Sequence, residues 1–209
     1  MNPIYVAALS VLVGAIAGWG VRRASLILAR LEELVPGNAG WQVYGPPIVT
    51  AALFAAFNHV APNVPAAAEL DVFVLVLVQI TFFDLEHGLI LDLVILPAIA
   101  VALIVSLFQQ PWWAGIATGA VVGLAFVALG VVGSVLLKAD AVGFGDVKLA
   151  VFLGLFLGPV ACAEAILAAF AIGGAFAVGL AVVRRSLSGR IAFGPFLSAG
   201  ALIALYYRS

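Results

Sequence analysis

Two short segments of this chain set acids into sequence that is otherwise apolar. The first runs Phe83-Asp84-Leu85-Glu86-His87-Gly88-Leu89-Ile90-Leu91-Asp92, and the second Asp140-Ala141-Val142-Gly143-Phe144-Gly145-Asp146-Val147-Lys148-Leu149. Asp84 follows a run that is apolar but for Gln79 and Thr81, and Asp146 opens another apolar run behind a Gly-x-Gly. A carboxyl at the edge of a low-dielectric zone costs energy when desolvated, about 2.5–3.5 kcal/mol at a helix centre and less near the interface. Either segment alone reads equally well as an interfacial turn with solvated acids. Together they suggest a pair, because two neighbouring carboxyls share one proton when the charge on one raises the pKa of the other. Such a pair does acid–base work on an amide: the ionised member takes a proton from attacking water, and the protonated member donates to the carbonyl oxygen. Gly143 and Gly145 would let the backbone bend and approach an extended substrate segment.

The elements that must position these acids follow from composition. Hydrophobic residues make up 66% of the 209 positions and charged residues 9%, with a mean hydropathy of +1.27. A soluble domain carries about 25% charged residues, so lipid must be the solvent for most of this surface. The net charge of −1 provides no basic face for nucleic acid. The single cysteine, Cys162, excludes an intrachain disulfide framework and a cysteine zinc site, and no metal-ligand constellation is visible. The expected class is all-α, a polytopic membrane protein.

A crossing helix needs about 20 apolar residues. On that measure the chain holds about eight transmembrane helices, at 3–21, 47–64, 70–83, 89–108, 112–137, 147–157, 160–183 and 191–207. The third and sixth are short and should continue through the polar residues at their ends, and Gly158-Pro159 should break the long run from 147 to 183. The first span is expected to be retained, because Arg22-Arg23 follow it and no basic residue precedes it. Placing Arg22, Arg23, Arg30, Lys138, Lys148, Arg184, Arg185 and Arg190 on one side leaves only Arg208 on the other. By the positive-inside rule both termini are then non-cytoplasmic, and Trp112-Trp113 and Tyr206-Tyr207 fall at outer boundaries. The expected division is 1–64 as an amino-terminal region and 65–209 as the region bearing both acids. Within the former, 22–46 should be a short cytoplasmic loop whose Ser25–Leu34 stretch forms an amphipathic surface helix. Gly14 with Gly18, Gly119 with Gly123, and Gly154 with Gly158 have the small-xxx-small spacing of close helix packing.

Three ordered motifs carry a resemblance. Gly143–Leu149 is similar to the GxGDxKL signature of the type IV prepilin peptidases, a branch of the GxGD intramembrane aspartyl proteases. Asp84–Asp92 resembles that family's first catalytic segment, usually ending Ile-Pro-Asp, and 191–200 resembles its IPFGPFLAxG helix. The resemblance implies Asp84 and Asp146 as the catalytic pair, with Asp92, Lys148, Gly143, Gly145 and Glu86 in support. Lys148 would also anchor the interface, and Glu86 and His87 would sit in a solvated turn. It implies prepilin or pseudopilin substrates, cut at the cytoplasmic face of the inner membrane behind a basic leader that Glu86, Asp92 and Asp140 would attract. No cofactor is implied for peptide hydrolysis. S-adenosylmethionine would be required only if the amino-terminal methylation of bifunctional members is retained. That question stays open, since the first loop lacks their two CxxC pairs, and the stretch 41–54 resembles their entry into the second span but lacks its usual acid, with Pro46-Pro47 in that region. Leu91 and Ala192 stand where prolines are usual, which should alter helix starts and spare the acids. Two other classes remain: a small transporter or proton relay, against which the acids cluster at one face, and an inactive pilus-assembly scaffold, against which the acids are intact. Oligomeric state is not legible.

Overall fold

The computed structural model describes residues 3–137, 143–184 and 192–208, and Lys138, Asp140, Arg185, Arg190 and Ile191 lie outside them. Among the described residues there are seven helices and no strands: α1 (Pro3–Leu31), α2 (Gly40–Val60), α3 (Val64–His87), α4 (Asp92–Phe108), α5 (Trp113–Leu137), α6 (Phe144–Arg184) and α7 (Gly194–Tyr206). Four of them, α1, α3, α5 and α6, are long and apolar enough to cross a membrane. Many large apolar side chains face outward, with Leu124 and Leu167 each 70% exposed. With so few charges to cover that surface, the chain is a helical membrane protein.

The chain divides into two compact units, 1–88 and 89–208. In the first, α1 packs along α2, and α3 packs against both. The contact of α1 with α2 works because α1 presents glycine where α2 presents proline. A Cβ on Gly18 would lie 2.6 Å from the Pro46 carbonyl oxygen and 2.7 Å from the Pro47 nitrogen. Pro46 and Pro47 sit inside α2, buried against this groove. A proline ring in a helix interior ordinarily costs a backbone hydrogen bond and a clash; the close approach here offsets part of that loss.

The expected loop at 22–46 is largely helix in the structure. Arg22-Arg23 do not end the first helix, which continues to Leu31. No glycine or proline intervenes between Val21 and Leu31, and the charge of Arg22 is neutralised in place, so nothing stops propagation. The Ser25–Leu34 stretch is therefore mostly the end of α1 and forms no separate surface helix. The stop comes at Glu33, whose φ of 56° is left-handed. Leu34 N–H donates to the Ala29 carbonyl and Glu33 N–H to the Arg30 carbonyl, the paired bonds of a Schellman cap.

At the start of α3, Asn63 caps the helix by accepting from the Ala66 N–H at 2.9 Å. The helix runs through Glu69 and Asp71 at one end and Asp84 to His87 at the other, as the shortness of its apolar run suggested.

In the second unit α6 packs against α4, α5 and α7. Gly158 interrupts α6 with φ 69° and ψ −175°, a conformation open to glycine and costly to other residues. Pro159 follows, so the break falls where the sequence placed it. Gly154 meets Gly119 of α5, with a Cβ on the former 2.6 Å from the Gly119 Cα. Gly158 has open space around it; its role is the bend, and of the two glycines at that spacing only Gly154 meets another helix. Trp112, Trp113 and Tyr207 are 55%, 56% and 84% exposed at helix ends, suited to the boundary between lipid and water.

Candidate active site

Asp84 occupies the last turn of α3 and is 5% exposed. Gly88 terminates the helix in the left-handed conformation, and its N–H donates to the Asp84 carbonyl at 2.7 Å. The fixed turn continues through side chains. Phe83 and His87, one turn apart, meet in a tilted ring contact with centroids 4.6 Å apart and planes 49° apart.

Glu86 is not in a solvated turn. Its side chain is 4% exposed and receives Arg22 Nη1 of α1 at 3.0 Å. Its other oxygen accepts the Gly37 N–H, and Arg22 Nη2 donates to the Gly37 carbonyl. His87, also nearly buried at 8%, places Nε2 3.6 Å from the same Glu86 carboxylate. The acid expected to greet a basic leader is thus already committed to a buried arginine. A buried carboxylate demands such a partner, since desolvation without one is prohibitive.

Asp146 lies in the first turn of α6. Gly143 is the cap, its carbonyl accepting the Asp146 N–H at 3.0 Å and the Val147 N–H at 3.4 Å. The first turn of a helix leaves N–H groups without intrahelical partners, and a carboxylate there is favoured by the local dipoles. Both glycines that precede Asp146 have close neighbours. A Cβ on Gly143 would stand 3.2 Å from Asp146 Oδ2, and one on Gly145 only 2.8 Å from Ile90 Cβ. At Gly145 a side chain would have to displace Ile90, a stronger constraint than the flexibility expected from the sequence, whereas at Gly143 the near atom is the mobile end of the Asp146 side chain. Gly145→Ala is expected to lower stability in detergent by about 1–3 kcal/mol, the usual cost of overpacking. Ile90→Ala should recover part of that loss in a double-mutant cycle read by thermal unfolding; full additivity would show that the two positions do not meet.

Lys148, two residues further on, forms an ion pair with Asp92 at the start of α4 and lies 5.6 Å from the Phe144 ring centroid. The pair joins the first turns of two helices that both motifs supply. Asp92 is 58% exposed, so solvent screens the attraction, and Asp92→Asn should cost only about 0–1 kcal/mol of stability, less at high salt. A salt-independent loss of several kcal/mol would contradict that. Leu91, standing where the resembled motif has proline, caps α4 with φ −75°. A proline ring enforces φ near −65°, so leucine here adopts backbone that proline would also take.

Of the residues singled out, Asp84 and Glu86 belong to the first unit, and Gly143, Gly145, Asp146, Asp92 and Lys148 to the second. The structure joins Asp92 with Lys148 and Gly143 with Asp146. Sequence reasoning missed the Arg22–Glu86 pair and a second one, in which Arg208 Nε and Nη2 donate to the Glu164 carboxylate at 2.7 and 2.8 Å. The latter borders a cavity of about 410 Å³ lined by Glu164, Ile203, Ala204, Tyr207 and Arg208. That cavity contains none of the acids in either motif.

Comparison with known proteins bears on this arrangement. The model of the type IV leader peptidase family matches residues 72–178, which include Asp84, Gly143, Gly145 and Asp146. A prepilin leader peptidase/N-methyltransferase of Aeromonas salmonicida is 33% identical over 135 residues, covering 63% of this chain and 46% of that protein. A type 4 prepilin-like proteins leader peptide-processing enzyme of Escherichia coli is 28% identical over 165 residues, covering 78% of this chain and 60% of that protein. The chain thus spans between 46% and 60% of the length of these relatives. No solved structure matches.

Proposed function

The chain belongs to the type IV leader peptidase family, and from that premise we propose that it is a membrane aspartyl endopeptidase. Its substrates in this reading are type IV prepilins or pseudopilins. Both bear a short basic leader ending in glycine ahead of an apolar helix. The cut falls at the cytoplasmic face of the inner membrane, with about eight helical spans and both termini on the opposite side. One observation carries the reading: each of the two motifs places an aspartate at a helix end, Asp84 in the last turn of α3 and Asp146 in the first turn of α6.

In the proposed reaction Asp84 and Asp146 share one proton. The ionised carboxylate takes a proton from water as the water oxygen bonds to the scissile carbonyl carbon. The protonated carboxyl donates to the carbonyl oxygen. Collapse of the tetrahedral species breaks the C–N bond, and the departing nitrogen takes up a proton to become the new amino terminus. Gly143 and Gly145 leave the backbone just before Asp146 bare at two positions, with Phe144 between them. The Lys148–Asp92 pair holds the start of α6 to the start of α4.

Amino-terminal methylation is a separate matter. The segment 32–39 offers Glu32, Glu33 and Asn38 as its polar side chains, and its Gly37 backbone is held by Arg22 and Glu86. Peptide hydrolysis by the two aspartates needs no S-adenosylmethionine, which would serve only a retained methylation of the new amino terminus.

Co-expression with a type IV prepilin tests the reading. The expected product is shortened by its leader, with an amino-terminal sequence that starts after the leader glycine, and its mass shows whether a methyl group has been added. An unprocessed prepilin, under conditions where the Aeromonas relative processes it, would sink the proposal.

A further inference from the structure

We infer that the buried Arg22–Glu86 ion pair is the positioning device for Asp84, an inference that rests on the reading of Asp84 as a catalytic acid. Arg22 is 5% exposed and stands on α1. Glu86 stands on α3 two residues after Asp84, which on an α-helix places it about 200° around the axis. The two acids therefore face nearly opposite directions, and whatever holds Glu86 sets the rotation of the last turn and with it the direction of Asp84.

The hold is threefold. Arg22 Nη1 binds one Glu86 oxygen, the Gly37 N–H binds the other, and Arg22 Nη2 binds the Gly37 carbonyl. One guanidinium and one carboxylate thus close a ring through the backbone of the segment between α1 and α2. A second buried polar tie supports it, Gln79 Nε2 of α3 donating to Ser25 Oγ of α1 at 2.8 Å. Both ties lie between the same two helices, one on each side of Asp84 in sequence.

This position calls for such a device. Asp84 precedes the left-handed Gly88 by four residues, and the carbonyls of a helix's last turn lack intrahelical partners, so helix ends fray. Holding the turn for stability alone would not require ions, because replacing a buried pair by packed apolar residues is often neutral or stabilising. A planar, forked guanidinium fixes geometry as well as charge, which lysine does not reproduce. Among the described residues, the charged and titratable groups paired with the Glu86 carboxylate are Arg22 and His87.

The test combines hydrogen exchange with kinetics on the full chain in detergent or lipid, using Glu86→Gln, Arg22→Met and the milder Arg22→Lys. In the wild type the Gly37 amide should exchange slowly, and in Arg22→Met at least tenfold faster. Against a prepilin substrate kcat per folded enzyme should fall tenfold or more in Arg22→Met and Glu86→Gln, with KM changed less than threefold and partial recovery in Arg22→Lys. Equal exchange in wild type and Arg22→Met overturns the clamp. Faster exchange with unchanged kcat overturns the positioning role and leaves a purely structural pair. If the wild type cleaves nothing, the peptidase reading falls and the positioning role with it, while exchange at Gly37 still decides whether the clamp exists.

Discussion

Asp146→Asn should lose leader removal by about four orders of magnitude or more, and Asp84→Asn should do the same. The expectation follows from the division of labour between two carboxyls. Amide hydrolysis needs a group to accept the proton of water and a group to donate one to the carbonyl oxygen. Asparagine matches aspartate in shape and supplies neither. The remaining acid alone cannot be ionised and protonated at once, so a single substitution removes the unit. Catalytic groups that act together show this behaviour, with one replacement costing nearly as much as several. The double variant Asp84→Asn/Asp146→Asn should therefore be scarcely worse than either single one. Neither substitution should greatly lower the amount of folded protein, because the shape is retained. Glu164→Gln is the matched control: it removes an acid from the half-exposed Arg208 pair, outside both motifs, and should leave cleavage within about twofold. Strictly additive losses in the double variant would mean that the two acids act independently.

The second large effect concerns packing, and two glycines in one helix provide it. Gly18→Ala should destabilise the first unit by about 1–3 kcal/mol, since its Cβ would enter the Pro46-Pro47 backbone of α2. Backbone cannot rotate away as a side chain can, so α1 and α2 must part. Gly20, two residues on, has open space where a Cβ would stand, with nothing within 4 Å. Gly20→Ala should be neutral or stabilise by up to about 1 kcal/mol through helix propensity. Thermal unfolding in one detergent reads both. A loss of the same size at the two positions would show that α1 does not approach α2 as closely as the structure has it.

These two glycines also mark how far sequence could be read. The GxxxG spacing of Gly14 and Gly18 identified a packing face, and both positions do meet α2. The same spacing misled at Gly158, where positive φ and Pro159 identify a bend. Spacing reports which residues share a helix face, and it does not report whether a partner lies opposite. The positions of the two acids at helix ends were legible because apolar runs stop and start beside them. The partner of Glu86 was not: Arg22 is 64 residues away in sequence, and an Arg-Arg pair after an apolar run has the composition of a membrane boundary. Only tertiary packing shows that one of the two points inward. The Glu164–Arg208 pair was hidden for the same reason, across 44 residues. Charges counted for topology are informative as a set and silent about which of them are already paired.

Whether this chain is itself the endopeptidase is decided by reconstitution from purified components. The purified chain and a prepilin substrate are placed together in lipid vesicles, with no other protein, and the products are weighed by mass spectrometry. One cut is expected, behind the leader glycine, made by the wild type and absent with Asp84→Asn/Asp146→Asn. An intact substrate with the wild type, or the same cut with the double variant, would contradict that expectation.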